Sequence, residues 1–234
     1  MILALAAVSC AKLQARDNLS KGVRAFREAK YERAIDYFQE AIKLDPALTD
    51  AELYLATAYS QQFVPNADSA NNRKNAEMAI QTFERVLQKE PNNVHAVEGL
   101  AYVYQNSYRL DKAREYYLKQ TQLAPQNPTP FYAVGSVNWL LLQSKSALPP
   151  PEEQARLVEE GLENLDKALV LNPDYEDAMA YKNLLFREKA RLATDPQEKE
   201  KFEAMANEWF DKVLETRKRV AAKKKGPGGI IVGK

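Results

Sequence analysis

The chain carries very little with which to do covalent chemistry. Among its 234 residues there is one cysteine, Cys10, and one histidine, His95. Any serine or cysteine nucleophile activated by an imidazole would have to use His95 as its base, and no supporting motif surrounds that residue. A Cys/His metal site needs more ligands than this pair supplies. The adjacent acids Glu159 and Glu160 read as the solvated surface of a helix. Glycines cluster only between Gly226 and Gly233, so no phosphate-cradling loop is present in the body of the chain. These features predict no catalytic residue, no cofactor and no metal, and hence a protein that is not an enzyme.

Cys10 invites a different chemistry. Met1 to Cys10 is uncharged and mostly apolar, and it gives way at once to Lys12, Arg16 and Asp17. An apolar stretch ending in small residues resembles the end of a secretion signal. Ala7-Val8-Ser9-Cys10 also resembles the bacterial lipobox, in which the cysteine is lipidated and becomes the mature N-terminus. The match is to a relaxed form, with alanine where leucine is preferred and no Lys or Arg ahead of the apolar run. This resemblance implies a lipid anchor on Cys10, each buried CH₂ contributing about 0.8 kcal/mol, and a cell-envelope protein facing the periplasm. Ala11 carries no acidic inner-membrane retention signal. The alternatives are plain secretion, or a cytoplasmic chain whose first residues begin its first helix. No apolar run reaches the ~20 residues that a spanning helix needs.

The elements that position these residues are set by a recurring spacing. Ala34, Phe38 and Pro46 stand in the same relation as Ala113, Tyr117 and Pro125: a small residue, an aromatic four later, and a proline twelve after the small residue. Pro91 and Pro125 lie 34 residues apart. Small residues let paired helices cross closely, large ones fill the gap to the next pair, and the proline ends the second helix. A period of this length with these positions resembles the tetratricopeptide-repeat superfamily. Repeats are read at about 15–46, 49–91, 94–125, 128–173 and 176–219, after a 1–10 signal segment and before a basic, Gly-rich, disordered tail at 220–234. The middle and end are also similar to a group of uncharacterised acidobacterial repeat proteins, through the stretch from Asp174 to Ala190. Repeats two, four and five carry extra length, which the spacing places in the turns between helices A and B.

The resemblance implies an all-α fold, a right-handed α-solenoid of about five helix pairs, whose concave face is lined by the A helices and binds an extended peptide or a partner helix. Mapped onto this sequence, the groove positions are Asp50, Leu53, Thr57, His95, Glu98, Tyr102, Gln105, Tyr132, Ser136 and Trp139. Tyr102, Tyr132 and Trp139 would make an aromatic anchor site, or else pack between repeats. Some members clamp the C-terminal carboxylate of chaperones with a lysine and an asparagine. The matching positions here are Leu19 and Val23, so that role is excluded. The expected partner is therefore another protein.

Charge placement points the same way. Residues 212–234 carry eight Lys/Arg against one acid, and the body before them is mildly acidic. A body built to neutralise phosphates needs several cations on one face, so no nucleic acid is expected there. Lys223 to Lys225 would allow the tail to meet anionic lipid or nucleic acid, or would simply suit a helix C-terminus.

Overall fold

The computed structural model describes the backbone of residues 2–144 and 148–225, and the side chains of 10–144 and 148–222. Ten α-helices, and no strand, occur among the described residues. They fall into five antiparallel pairs: α1 (Ile2–Arg27) with α2 (Tyr31–Leu44), α3 (Thr49–Gln62) with α4 (Ala70–Lys89), α5 (Val94–Asn106) with α6 (Leu110–Leu123), α7 (Pro128–Leu142) with α8 (Pro151–Leu171), and α9 (Glu176–Leu192) with α10 (Pro196–Lys225). The chain divides into two compact units, Met1–Leu123 and Ala124–Lys234.

Local chemistry accounts for the helix ends. Asn93, Ser69 and Asn127 cap α5, α4 and α7, each side-chain oxygen accepting a backbone N–H of the first turn. Pro128 and Pro151 begin helices, where the missing N–H costs nothing. Pro46, Pro91, Pro125 and Pro173 stand one or two residues after the ends of α2, α4, α6 and α8. In the first and third repeats the A–B turn is one motif used twice. Ala29 and Tyr108 take a left-handed backbone with φ 57° and 58°. Lys30 N–H then donates to Ala25 O and Arg109 N–H to Tyr104 O, both at 2.9 Å, which is the Schellman closure of a helix.

In the first unit, each repeat is fastened to the next by shape and by a recurring lysine. Phe38 and Phe83 are fully buried. A side chain at Gly99 would collide with the Phe83 ring, so glycine is what allows α5 to lie over α4. At the corresponding place in the repeat before, Tyr54 stands in α3 and stacks on Phe38 with ring centroids 5.6 Å apart. Lys89 donates to Pro46 O at 2.7 Å and Lys119 to Pro91 O at 2.6 Å, each capping the carbonyl that closes the preceding repeat. The second unit has its own core of Phe131, Leu157, Leu162, Leu165, Leu185 and Phe186.

Three expectations change. The extra length of repeat two is only partly a loop, because α4 begins at Ala70 and takes up the rest as helix. Repeat five has no long turn: α9 ends at Leu192 and α10 starts at Pro196, so its surplus is helical. Helix propagation adds one hydrogen bond for each residue fixed, which favours lengthening an existing helix over opening a loop. Residues 220–225, read as disordered, continue α10. Residues 226–234 of that tail, and the side chains of Lys223 to Lys225, lie outside the described residues. So do the side chains of 1–9 in the segment read as a signal, whose backbone from Ile2 belongs to α1.

Candidate functional site

In the first unit the expected groove residues lie on α3 and α5, the neighbouring A helices. Asp50, His95 and Glu98 are exposed, and Leu53 and Thr57 are half-buried. The Thr57 hydroxyl donates to Leu53 O at 2.8 Å, which turns it away from any ligand. Tyr102 exposes 44% of its surface. Beside it, the Tyr117 hydroxyl of α6 donates to Gln105 Oε1. Burial pushes the Tyr117 hydroxyl up to about 12, with the nearby Glu98 carboxylate and Tyr102 adding to the effect. Glu98, Tyr102, Gln105 and Tyr117 therefore form one patch: a carboxylate, an accessible ring and a hydroxyl–amide pair nearby. Tyr54, which the sequence reading did not single out, is also exposed (37%). It stacks on Phe38 and meets the edge of Phe26.

The second unit uses its aromatic residues differently. Tyr132 and Trp139 of α7 are half-buried. Tyr132 lies 5.0 Å from Tyr175 and 5.6 Å from Tyr181, and Trp139 lies 5.7 Å edge-on to Tyr181. These four rings zip α7 to α9 and rest against the unit's core. Burial raises the Tyr175 and Tyr181 hydroxyls above the ordinary tyrosine value, and Asp177 adds to both. Ser136 is a correction. It is 3% exposed and its hydroxyl donates to Ala133 O at 2.9 Å, so it cannot line a groove. Its position on the repeat was read as facing the groove, but it is buried in a unit where α8 and α9 both pack on α7.

Residues 14–121 match the family of the plant-specific mitochondrial import receptor subunit TOM20. No curated protein matches the chain. Solved structures do. The MamA RS-1 ArsTM double mutant is 16% identical, with 88% of this chain and 96% of that one covered at a TM-score of 0.66. MamA 41-end from Desulfovibrio magneticus RS-1 is 18% identical, with 88% and 96% covered and a TM-score of 0.62. YrrB, described as a TPR protein with an unusual peptide-binding site, is 16% identical, with 88% and 90% covered and a TM-score of 0.63. The fold is a tetratricopeptide-type α-solenoid.

Within that tetratricopeptide frame the two units answer separately for the aromatic positions. Tyr132 and Trp139 are brought together through Tyr181, and both face a protein neighbour. Tyr102 belongs to the first unit, where its ring meets solvent. Tyr54, Tyr175 and Tyr181 complete the two sets. Tyr54 could have been found from its neighbour at Gly99: a tyrosine at the place where another repeat needs glycine must push its ring outward.

The inserted turns are held from inside. In repeat two the buried Asn72 side chain accepts from Val64 N–H at 2.7 Å and donates to Val64 O and Ala67 O. In repeat four the buried Gln154 donates to Pro149 O at 2.7 Å and accepts from Arg191. Beside the first of these turns lies an open cavity of about 350 Å³, walled by Phe63, Asn72, Ala76 and Tyr108 and by the ion pairs Asp68–Arg73 and Glu77–Arg109. Both cations already have carboxylate partners, so the cavity presents no uncompensated charge to a ligand.

Cys10 is exposed on α1, in company with Lys12, Leu13 and Arg16. Among the described residues no group of three or more His, Cys, Asp or Glu side chains is placed to hold a metal ion, and no helix is long and apolar enough to cross a membrane.

Proposed function

We propose that the protein is a protein–protein interaction scaffold that binds an extended peptide or a partner helix along the A-helix face, at the bacterial cell envelope. The observation that carries the binding role is the solvent-facing Tyr102 ring, flanked by Glu98 and backed by Tyr117 and Gln105. A tyrosine held this way offers a large, low-entropy contact surface, and the carboxylates Glu98 and Asp50 favour a ligand with basic side chains. The peptide-binding site ascribed to YrrB, a protein of like fold, supports the reading. Peptides selected from a displayed random library against the full chain should lose about tenfold or more in affinity on Tyr102→Ala, as measured by isothermal titration. Undiminished binding would remove Tyr102 from the site.

The envelope assignment rests on Cys10 and the apolar residues before it. Mass spectrometry of the native protein should find an acylated Cys10 at the N-terminus, and an unmodified Met1 would refute lipidation. One observation favours a second reading. Helix α1 runs unbroken from Ile2 into the first repeat, as in a cytosolic adaptor whose opening residues simply begin helix one. Fractionation of the source cells separates the two: the adaptor stays in the soluble cytoplasm, the lipoprotein in the membrane.

A further inference from the structure

In the first two repeats the aromatic that stands four residues after the small residue of the B helix meets one fate. Phe38 and Phe83 are buried at 0% and 2% exposure. In both cases the A helix of the following repeat covers the ring, through Tyr54 in α3 and Gly99 in α5. The same place in repeat five is Phe210, four after Ala206, and it is 51% exposed. Leu214, one turn further along, is 39% exposed. The opposite face of α10, with Ala206, Trp209, Val213 and Thr216, packs on α9. Phe210 and Leu214 thus mark the stripe that a further A helix would occupy.

Charge along that stripe is graded. Ahead of Phe210 the exposed positions at helical spacing are Glu200 and Glu203, and beyond Leu214 comes Lys218. Arg217 beside it is held by Glu176 of α9 at 2.9 Å. A helix that is apolar at its centre, acidic before it and basic after it is complementary to itself when reversed. Turned antiparallel, it places Phe210 against Leu214 of a second copy and brings Glu203 within reach of that copy's Lys218. The 30 residues of α10 span ~45 Å, ample for several turns of contact on either side of the apolar centre.

We propose that two copies of this chain associate through α10, antiparallel about a two-fold axis near Lys212, each helix covering the other's exposed Phe210 and Leu214. This interface lies on a B helix, apart from the A-helix face proposed for peptide binding, so the two can fail independently. The pairing rests on one helix per copy and is reversible at micromolar concentration.

Sedimentation equilibrium of the full chain from about 1 to about 200 µM tests it. The weight-average mass should climb from 26.5 kDa toward twice that value. Phe210→Glu and Leu214→Glu, both at exposed positions, should each weaken association by about tenfold or more while circular dichroism stays unchanged. Glu203→Lys and Lys218→Glu should each weaken it, and the double variant should recover it, because the reversed pair is again complementary. A wild-type mass that stays at one chain throughout, or a Phe210→Glu variant that associates as before, overturns the proposal. A double charge variant no better than the single ones overturns the antiparallel arrangement.

Discussion

The two units place aromatic residues on their A helices at similar repeat positions and put them to opposite uses. In the first, Tyr54 rests on Phe38 and Tyr102 lies near the Tyr117 hydroxyl, and both keep much of their surface in water. In the second, Tyr132, Trp139, Tyr175 and Tyr181 lean on one another and on the core below. The difference follows from what stands opposite. The α9 side of the second unit supplies two further rings, so its aromatic positions become glue. The α3 and α5 surfaces of the first offer small or charged neighbours such as Thr57, Glu98 and Gly99, so its rings remain available. A repeat position therefore specifies a direction, and the facing residue decides whether that direction leads to a ligand or to the fold.

Three substitutions would break or sharpen this contrast. The largest effect should come from Phe38→Ala, which removes the fully buried ring on which Tyr54 rests. A loss of ~3–5 kcal/mol is expected in urea unfolding. Next, Tyr181→Ala should cost roughly half of the ~3–5 kcal/mol of a fully buried aromatic, because it unzips both Tyr132 and Trp139. A double-mutant cycle with Trp139→Ala should return a coupling of ~0.5–1.5 kcal/mol. Zero coupling would mean that the rings of the second unit do not act together. The smallest effect belongs to Tyr102→Ala, whose stability should stay within ~0.5 kcal/mol of the parent while peptide affinity falls. A large destabilisation there would erase the distinction between the two units.

A pH experiment reads the burial of Tyr117 in the first unit. The Tyr117 hydroxyl is held up to about 12 by burial, whereas in the unfolded chain it ionises near ~10. Its contribution to stability is therefore complete below pH ~10 and is lost as pH rises through 12, because there the unfolded state gives up a proton that the folded state retains. Tyr117→Phe should flatten the fall in unfolding free energy over that window. Tyr59, Tyr104 and Tyr116 of the first unit and Tyr175 and Tyr181 of the second, also raised by burial, should keep the remainder of the alkaline loss.

Much of the helix pairing can be read from spacing. Small residues such as Ala34 and Ala113, and the closing prolines, each act within a turn or two of their own position, and local sequence reports local geometry well. Exposure was legible where it depends on the residue's own helix, as for Asp50, His95, Glu98 and Tyr102. It was illegible where a distant segment intervenes. Ser136 is buried in a unit where α8 and α9 both pack on α7, which its own helix does not specify. The Schellman turns at Ala29 and Tyr108 were hidden too, since neither residue type favours a left-handed backbone and the helix closure that stabilises them involves several residues at once.

By itself, then, the amino-acid order determined an all-helical repeat, the near absence of groups for covalent chemistry, and the faces on which side chains would lie, because periodicity and capping act over a few residues. Only the tertiary structure decided which of those faces remain open. Whether Tyr102 or Trp139 meets solvent, and whether Phe210 is covered, depends on the side chains that packing brings from other helices, and their fit is a property of volumes and distances that no single segment contains.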